Sequence, residues 1–277
     1  MRPCLLAAGF VACAACARPA SQAAGPNVVT ITATDYAFGA PDTIPAGLTT
    51  LRLVNQGKEL HHASLVRLGD GKTIADFQAG LDAAMKNHTP PPPWIAFVGG
   101  PNAVTVGDTA WATRALEPGS YVLVCWIPSA DGAPHIMKGM MRPIAVVGPG
   151  GAAVPDTPAD VVVKLTDYDF MFSQPLTAGT RTIRVESVGL QAHEIVITAL
   201  PPGKTLQDFI AWEQGGEKGP LPTGRWLGGV TGLDAGQHAH FTARFAPGNY
   251  LILCFWPDAK DGKPHLMHGM GKQITVS

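Results

Sequence analysis

Short runs of alternating apolar and polar residues, broken by glycine- and proline-rich turns, dominate this chain and appear in the same order twice. Val28 to Ala33 and Val161 to Leu165 read as opening strands, and Thr49 to Val54 and Thr182 to Glu186 as the next. All are rich in β-branched residues, which suit a pleated, half-buried surface. Two stretches change period: Lys72 to Met85 and Lys204 to Trp212 carry apolar residues at helical spacing, with a threonine near the start. The proline run Thr89 to Pro93 closes the first of these insertions. Ala110 to Leu116 and Tyr121 to Trp126 are predicted to form a hairpin around Glu117-Pro118-Gly119, mirrored by His238 to Phe245 and Tyr250 to Phe255. Final strands run from about Met140 to Val147 and from about Gly271 to Val276. The pattern predicts an all-β protein of two tandem sandwiches, each with one short helical insertion.

The duplication can be placed in register. Thr34-Asp35-Tyr36-Ala37-Phe38 recurs as Thr166-Asp167-Tyr168-Asp169-Phe170, Gly57 as Gly189 and Gly71-Lys72-Thr73 as Gly203-Lys204-Thr205, all at an offset of 132 (168 − 36). Beyond the helical insertion Gly99-Gly100 recurs as Gly228-Gly229, Pro118-Gly119-Ser120-Tyr121 as Pro247-Gly248-Asn249-Tyr250 and Cys125 as Cys254, at an offset of 129 (254 − 125). Expected boundaries follow: residues 1–25 as an export segment, 26–148 as one domain, 149–159 as a linker and 160–277 as a second domain.

Composition narrows the function. Against 20 Lys and Arg stand 21 Asp and Glu, a net charge of −1, so no basic stripe invites nucleic acid. The chemistry is concentrated in a second repetition: Cys125, His135 and Met140, then Cys254, His265 and Met270, each set preceded by a distant histidine. Two imidazoles, a thiolate and a thioether are the ligand set of a mononuclear electron-transfer copper site. In the first copy His61 and His62 compete; the offset maps His61 onto His193 and His62 onto Glu194, which favours His61 and leaves His62 a supporting or surface position. Met137 and Met267 compete with Met140 and Met270 for the axial place. A disulfide between Cys125 and Cys254 is disfavoured, since each has its own histidine and methionine downstream.

With these residues in view, both repeats resemble cupredoxins, the blue copper fold. The resemblance is carried by Gly57 to His61 and Gly189 to His193, the Pro-Gly-x-Tyr turns and the Cys...His-x4-Met tails. It implies two Greek-key β-sandwiches, up to two coppers held by His61, Cys125, His135 and Met140 and by His193, Cys254, His265 and Met270, and single-electron exchange with a redox protein. The departure is the loop from cysteine to histidine, nine residues in one copy and ten in the other, longer than is usual in small blue copper proteins. An oxidase or reductase would need further copper ligands beside each cysteine, but Val124 and Leu253 stand there, so no catalytic residues are expected. The one His-x-His pair, His238 and His240, lacks the further ligands of a closed site. Copper delivery or storage without redox turnover, with a copper donor as partner, and a metal-free interaction module are the alternatives.

The N-terminal order, one arginine, an apolar stretch of about 14 residues from Cys4 to Ala17 and then small and polar residues, is that of an export signal, too short to span a bilayer. CAAC ending at Cys16 resembles a bacterial lipoprotein signal, with Cys13 where leucine is usual. The expected location is the periplasm or cell envelope, either soluble or anchored through a lipidated Cys16.

Overall fold

The computed structural model describes residues 25–87, 89–149, 157–216 and 218–277. The expected export segment through residue 24, Cys16 included, and residues 150–156 of the expected linker lie outside the described residues. In the first half the strands are β1 (Asn27–Thr34), β2 (Ala37–Gly39), β3 (Thr43–Pro45), β4 (Gly47–Asn55), β5 (Ser64–Leu68), β6 (Ile95–Phe97), β7 (Thr109–Leu116), β8 (Gly119–Val124) and β9 (Met141–Val147), with helix α1 (Ile74–Asn87) between β5 and β6. In the second they are β10 (Val161–Thr166), β11 (Asp169–Phe172), β12 (Gly179–Ser187), β13 (His193–Leu200), β14 (Trp226–Leu233), β15 (His238–Phe245), β16 (Gly248–Leu253) and β17 (Gly271–Val276), with α2 (Leu206–Gln214) after β13. The all-β class, the two sandwiches and the two helical insertions are as the sequence pattern implied.

Each half closes its core between two sheets. Val29, Ile31 and Ala33 of β1 alternate inward and meet Leu65, Tyr121 and Leu123 from the opposite sheet. β8 is buried on both faces: Tyr121 and Leu123 enter the sandwich, while Val122 and Val124 point outward to a second cluster beneath α1. There Phe77 and Leu81, one turn apart, seal the sheet. α1 starts where the sequence places a cap, the Thr73 hydroxyl accepting the Asp76 N–H while the Asp76 carboxylate accepts the Thr73 N–H. Thr205 and Asp208 repeat the device at α2.

One expectation is overturned. β7 and β8 are not a hairpin, because β7 pairs with β4 whereas β8 pairs with β5 and β9 in the other sheet. Glu117-Pro118-Gly119 is a corner that crosses the sandwich. Its stop is the tyrosine that follows: the Tyr121 hydroxyl donates to the Glu117 carbonyl at 2.9 Å, as Tyr250 does to Ala246 at 2.9 Å. Alternation alone cannot separate a hairpin from such a corner, since both join two amphipathic strands through a glycine turn.

The two halves share backbone hydrogen bonds. β15 pairs with β7, so an eight-stranded sheet runs through both in the order β11-β10-β12-β15-β7-β4-β1-β2. Beside it the segment after β6 lies antiparallel to β14, with Val98 opposite Leu233, Pro101 opposite Val230 and Val104 opposite Leu227. The repeat offset converts Val98 into Leu227 and Val104 into Leu233 (98 + 129 and 104 + 129), so the contact is two-fold symmetric between non-identical copies. Pro101 faces its own counterpart Val230 (101 + 129) and marks the pseudo-axis. Phe97 and Trp256 stack edge to face across the junction, and Arg225 pairs with Asp108.

The corner hydrogen bond has a measurable weight. Tyr121→Phe is expected to destabilise the protein by about 0.5–1.5 kcal/mol, the net contribution of one such bond, read as a lower denaturant midpoint at unchanged slope.

Candidate metal centres

Cys125 follows the last residue of β8, and its position is set by two backbone bonds: its N–H donates to Met140 O at 3.2 Å and its carbonyl accepts Ile136 N–H at 2.8 Å. His135 N–H donates to Ile127 O at 2.9 Å, which folds the cysteine-to-histidine segment back on itself. The extra length therefore forms a tip of its own. Pro128 bridges Pro134, and the tip closes through Ser129 N–H to Ala133 O at 2.9 Å. The second copy does the same with Pro257, Pro264 and an Asp258 N–H to Lys263 O bond at 2.8 Å. A single 3-10 turn then carries each histidine, His135–Lys138 and His265–His268, ending on Gly139 and Gly269 in the left-handed region at φ 95° and 97°. His61 stands just before β5, bridged to Val104, and His193 opens β13.

This brings the expected donors together twice. In the first half His61 Nδ1 and His135 Nδ1 are 3.1 Å apart, and Cys125 Sγ lies 3.4 Å from His135 Nδ1 and 4.0 Å from His61 Nδ1. In the second, His193 Nδ1 and His265 Nδ1 are 3.0 Å apart and Cys254 Sγ is 3.6 Å from His265 Nδ1. All six residues are fully buried. Met140 and Met270 are fully buried too, in the same cores as Cys125 and Cys254. Burial separates them from the competing thioethers: Met137 is 63% exposed, and Met267 packs over the outer cluster beneath α2 beside Gln214.

The outward nitrogens decide what the inward ones can do. His61 Nε2 meets Asp35 Oδ1 at 2.8 Å, His135 Nε2 meets Glu59 Oε2 at 2.7 Å and His193 Nε2 meets Asp167 Oδ1 at 2.9 Å. A carboxylate accepts only, so Nε2 carries the ring proton and Nδ1 keeps its lone pair. Two lone pairs facing one another at 3.1 Å repel unless a cation stands between them, a demand that a metal ion answers. Burial, then the neighbouring histidine partly offset by Asp258, pushes the His265 imidazole down to about 4; burial also lowers His61 and His193, against the pull of Asp35 and Asp167. Burial raises the Cys125 thiol to about 12 and the Cys254 thiol likewise. A thiolate in either pocket thus requires a positive partner. Borderline imidazoles with a soft sulfur fit copper.

Several residues escaped the sequence reading. Asp35 and Asp167 recur in the Thr-Asp-Tyr-x-Phe repeat, yet only the fold brings them to the histidines. Gly57 and Gly189 are explained by the same bond: a Cβ at Gly57 would sit 2.4 Å from both Asp35 Oδ1 and His61 Nε2, and one at Gly189 2.4 Å from Asp167 Oδ1. Glu59 left no recurring signal, because its counterpart is Gln191 (59 + 132). In the second half the carboxylate has moved to Asp258, in the place of Ser129 (258 − 129). Asp258 accepts from Tyr168 and Gln191, and its Oδ2 stays 3.7 Å from His265 Nε2.

The supporting position foreseen for His62 is occupied, and the surface alternative is overturned. His62 is buried and its Nε2 accepts the Trp126 N–H at 2.8 Å, one residue beyond Cys125. Glu194 does the same for Phe255 N–H at 3.1 Å. Cys125 and Cys254 are both free thiols. His238 and His240 gather no third histidine, cysteine or carboxylate among the described residues.

No protein-family model matches the sequence, and no curated protein is found similar to it. Solved structures do match. Auracyanin from the photosynthetic bacterium Roseiflexus castenholzii is 22% identical over 43% of this chain and 99% of its own, at a TM-score of 0.29. Auracyanin A of Chloroflexus aurantiacus, a "blue" copper protein, is 21% identical over 44% of this chain and 100% of its own, at 0.29. A multicopper oxidase is 15% identical over 90% of this chain and 88% of its own, at 0.24. These superpositions are too loose to add weight. The two cupredoxin-like sandwiches stand on their own strand pairing and on the placement of cysteine and histidines.

Removing a carboxylate that orients a donor imidazole should weaken metal binding at that candidate site alone. Asp35→Ala is expected to lower the metal affinity of the first candidate site about 10–100-fold, the usual weight of such an outer partner, and Asp167→Ala that of the second. Competition with a chelator, in Cys254→Ser and Cys125→Ser backgrounds respectively, reads each value.

Proposed function

We propose that this chain is an exported copper protein with one mononuclear site in each half, built by His61, Cys125, His135 and Met140 and by His193, Cys254, His265 and Met270, and that it passes single electrons to and from a redox protein. The carrying observation is the pair of inward imidazole nitrogens beside a buried cysteine sulfur, made twice, with carboxylates bonded to the outer nitrogens of His61, His135 and His193. Bound copper supplies a one-electron couple. The chain supplies a cage that changes little between oxidation states: Cys125 and His135 are tied by the folded loop, and His61 comes from another element pinned by Asp35. Met140 and Met270 provide the weak axial sulfur in this reading.

Full burial also weighs between carriage and electron transfer. A site with every donor at 0% exposure cannot hand over its ion without opening the core, so it suits a resident metal better than a delivered one. Export through residues 1–25 belongs to the same proposal, with attachment through Cys16 as its lipidated form. Among the described residues no helix is long and apolar enough to cross a membrane.

Titration of the purified chain with Cu(II) tests this. The expected result is an intense thiolate-to-copper band at two coppers per chain, about halved by Cys125→Ser or Cys254→Ser and absent from the double variant. Tight Cu(I) binding without the band would support delivery or storage, and no binding a metal-free module. More than two coppers with the band would point to an additional, catalytic centre.

Affinity should also rise with pH. With the Cys125 thiol at about 12 and the Cys254 thiol raised as well, binding displaces one thiol proton per site at neutral pH. His61 and His193, lowered by burial, are already neutral above their ordinary range and release nothing there. The apparent constant of each site is expected to increase about tenfold per pH unit between about pH 7 and 9, measured by chelator competition.

A further inference from the structure

Between the two centres lies a buried polar bridge that the repeats do not duplicate. His62 follows the ligand His61 and binds the backbone beyond Cys125; Glu194 follows His193 and binds the backbone beyond Cys254. Both point toward the pseudo-two-fold axis, and Pro101-Asn102 joins them. Asn102, next to Pro101 on that axis, donates through Nδ2 to Glu194 Oε2 at 3.1 Å and to the carbonyls of Ile195 at 3.1 Å and Val230 at 3.2 Å. On the other side Ala63 N–H, one residue beyond His62, donates to Pro101 O at 2.9 Å, and Asn102 Oδ1 accepts the Ala103 N–H at 2.8 Å. Because Nε2 of His62 accepts from Trp126, the neutral ring carries its proton on Nδ1.

These groups are exposed by only 6% at His62, 2% at Asn102 and 7% at Glu194. Such buried polarity costs stability that an apolar filling would avoid. The counterpart of Asn102 is Thr231 (102 + 129), whose buried hydroxyl has no hydrogen-bond partner among the described residues. A single asparagine at the axis thus does what two symmetric residues do not. The resulting connection runs from Cys125 through Trp126, His62, the Ala63–Pro101 backbone bond, Asn102, Glu194 and Phe255 to Cys254. It is buried and held between halves that share a sheet.

Resting on the two-copper reading above, we propose that the two sites exchange an electron within the molecule, with Asn102 as the positioning residue that couples them. With copper bound at both sites, one electron would pass from a cuprous ion at one, oxidised to cupric, to a cupric ion at the other, reduced to cuprous; no bond would break and no proton would leave. The protein thereby accepts an electron at one end and presents it at the other. The direction follows from the outer histidine partners: a carboxylate at 2.7 Å from His135 favours the cupric state there more than one at 3.7 Å from His265, so the electron moves toward the second site.

The test uses the full chain loaded with two coppers, verified by metal content and by the thiolate band, with Cys125→Ser and Cys254→Ser giving the spectrum and potential of each site alone. Substoichiometric pulsed reduction is followed where the two spectra differ. The expected result is a first-order phase independent of protein concentration, absent from both single-site variants and slowed at least tenfold in Asn102→Ala while metal content and both potentials stay unchanged. Glu194→Leu, which breaks the bridge at its other end, is expected to slow the same phase, so the inference does not depend on one variant folding. An unchanged rate in a fully loaded Asn102→Ala, or no such phase in the loaded wild type, overturns it. Failure to load two coppers overturns the proposed function first, and this inference with it.

Discussion

Two imidazole nitrogens facing each other 3 Å apart in a dry core are the constraint around which each half is arranged. In the first half, where carboxylates hold both outer nitrogens, the inward lone pairs repel; in the second, His193 alone is held this way. The arrangement persists because each ring is held from outside by a carboxylate or packed against an aromatic ring, Tyr36 for His135 and Tyr168 for His265. Those partners come from the loop after β1, the glycine segment after β4 and, in the second half, the loop beyond the cysteine. The site therefore draws on chain segments distant in sequence, and the sandwich is the device that brings them to one end.

The two copies meet this constraint differently. Asp35 and Asp167 are equivalent, but the support of the second histidine passes from Glu59 in one half to Asp258 in the other, with Gln191 and Ser129 in the vacated places. The charge is kept while its origin changes. In the second half Tyr168 and Gln191 draw the carboxylate toward themselves, and it stands farther from the ring it serves. Duplicated donors with unequal outer partners give two centres of the same chemistry at different electrostatic settings, which one site with its symmetric copy would not provide.

What the sequence made legible was whatever recurs with a period or an offset. Alternation showed the strands, the 3.6 spacing the helices, and the register chose His61 over His62. The axial question stayed open because Met137 and Met140 differ by less than one helical turn, and only burial separates them. Alternation reads the corner at Glu117-Pro118-Gly119 as a hairpin, since which sheet a strand joins is a long-range property that it does not encode. Glu59 and Asp258 were invisible because compensating exchanges erase the repeat that would reveal them. The long cysteine-to-histidine loops leave the donor spacing intact, because Pro128-Pro134 and Pro257-Pro264 close each into a tip, and in the second copy that tip carries Asp258 toward His265.

The junction follows from the same logic of equivalent segments meeting. Antiparallel pairing about Pro101 and Val230 places each half's glycine pair against the other's backbone: a Cβ at Gly99 would come 2.8 Å from Leu233, and one at Gly228 2.8 Å from Ala110. Close approach of the two halves is thus written into Gly99 and Gly228, while Gly100 and Gly229 make room for the backbone of their own half at Ala63 and Ile195. That approach brings the residues following the two upstream histidines within reach of a single asparagine. Two-fold pairing of like segments produces two equivalent places beside the axis, and here they carry different residues, Asn102 and Thr231. Asn102 reaches Glu194 in the other half, whereas the Thr231 hydroxyl makes no hydrogen bond among the described residues, so one side chain serves the junction.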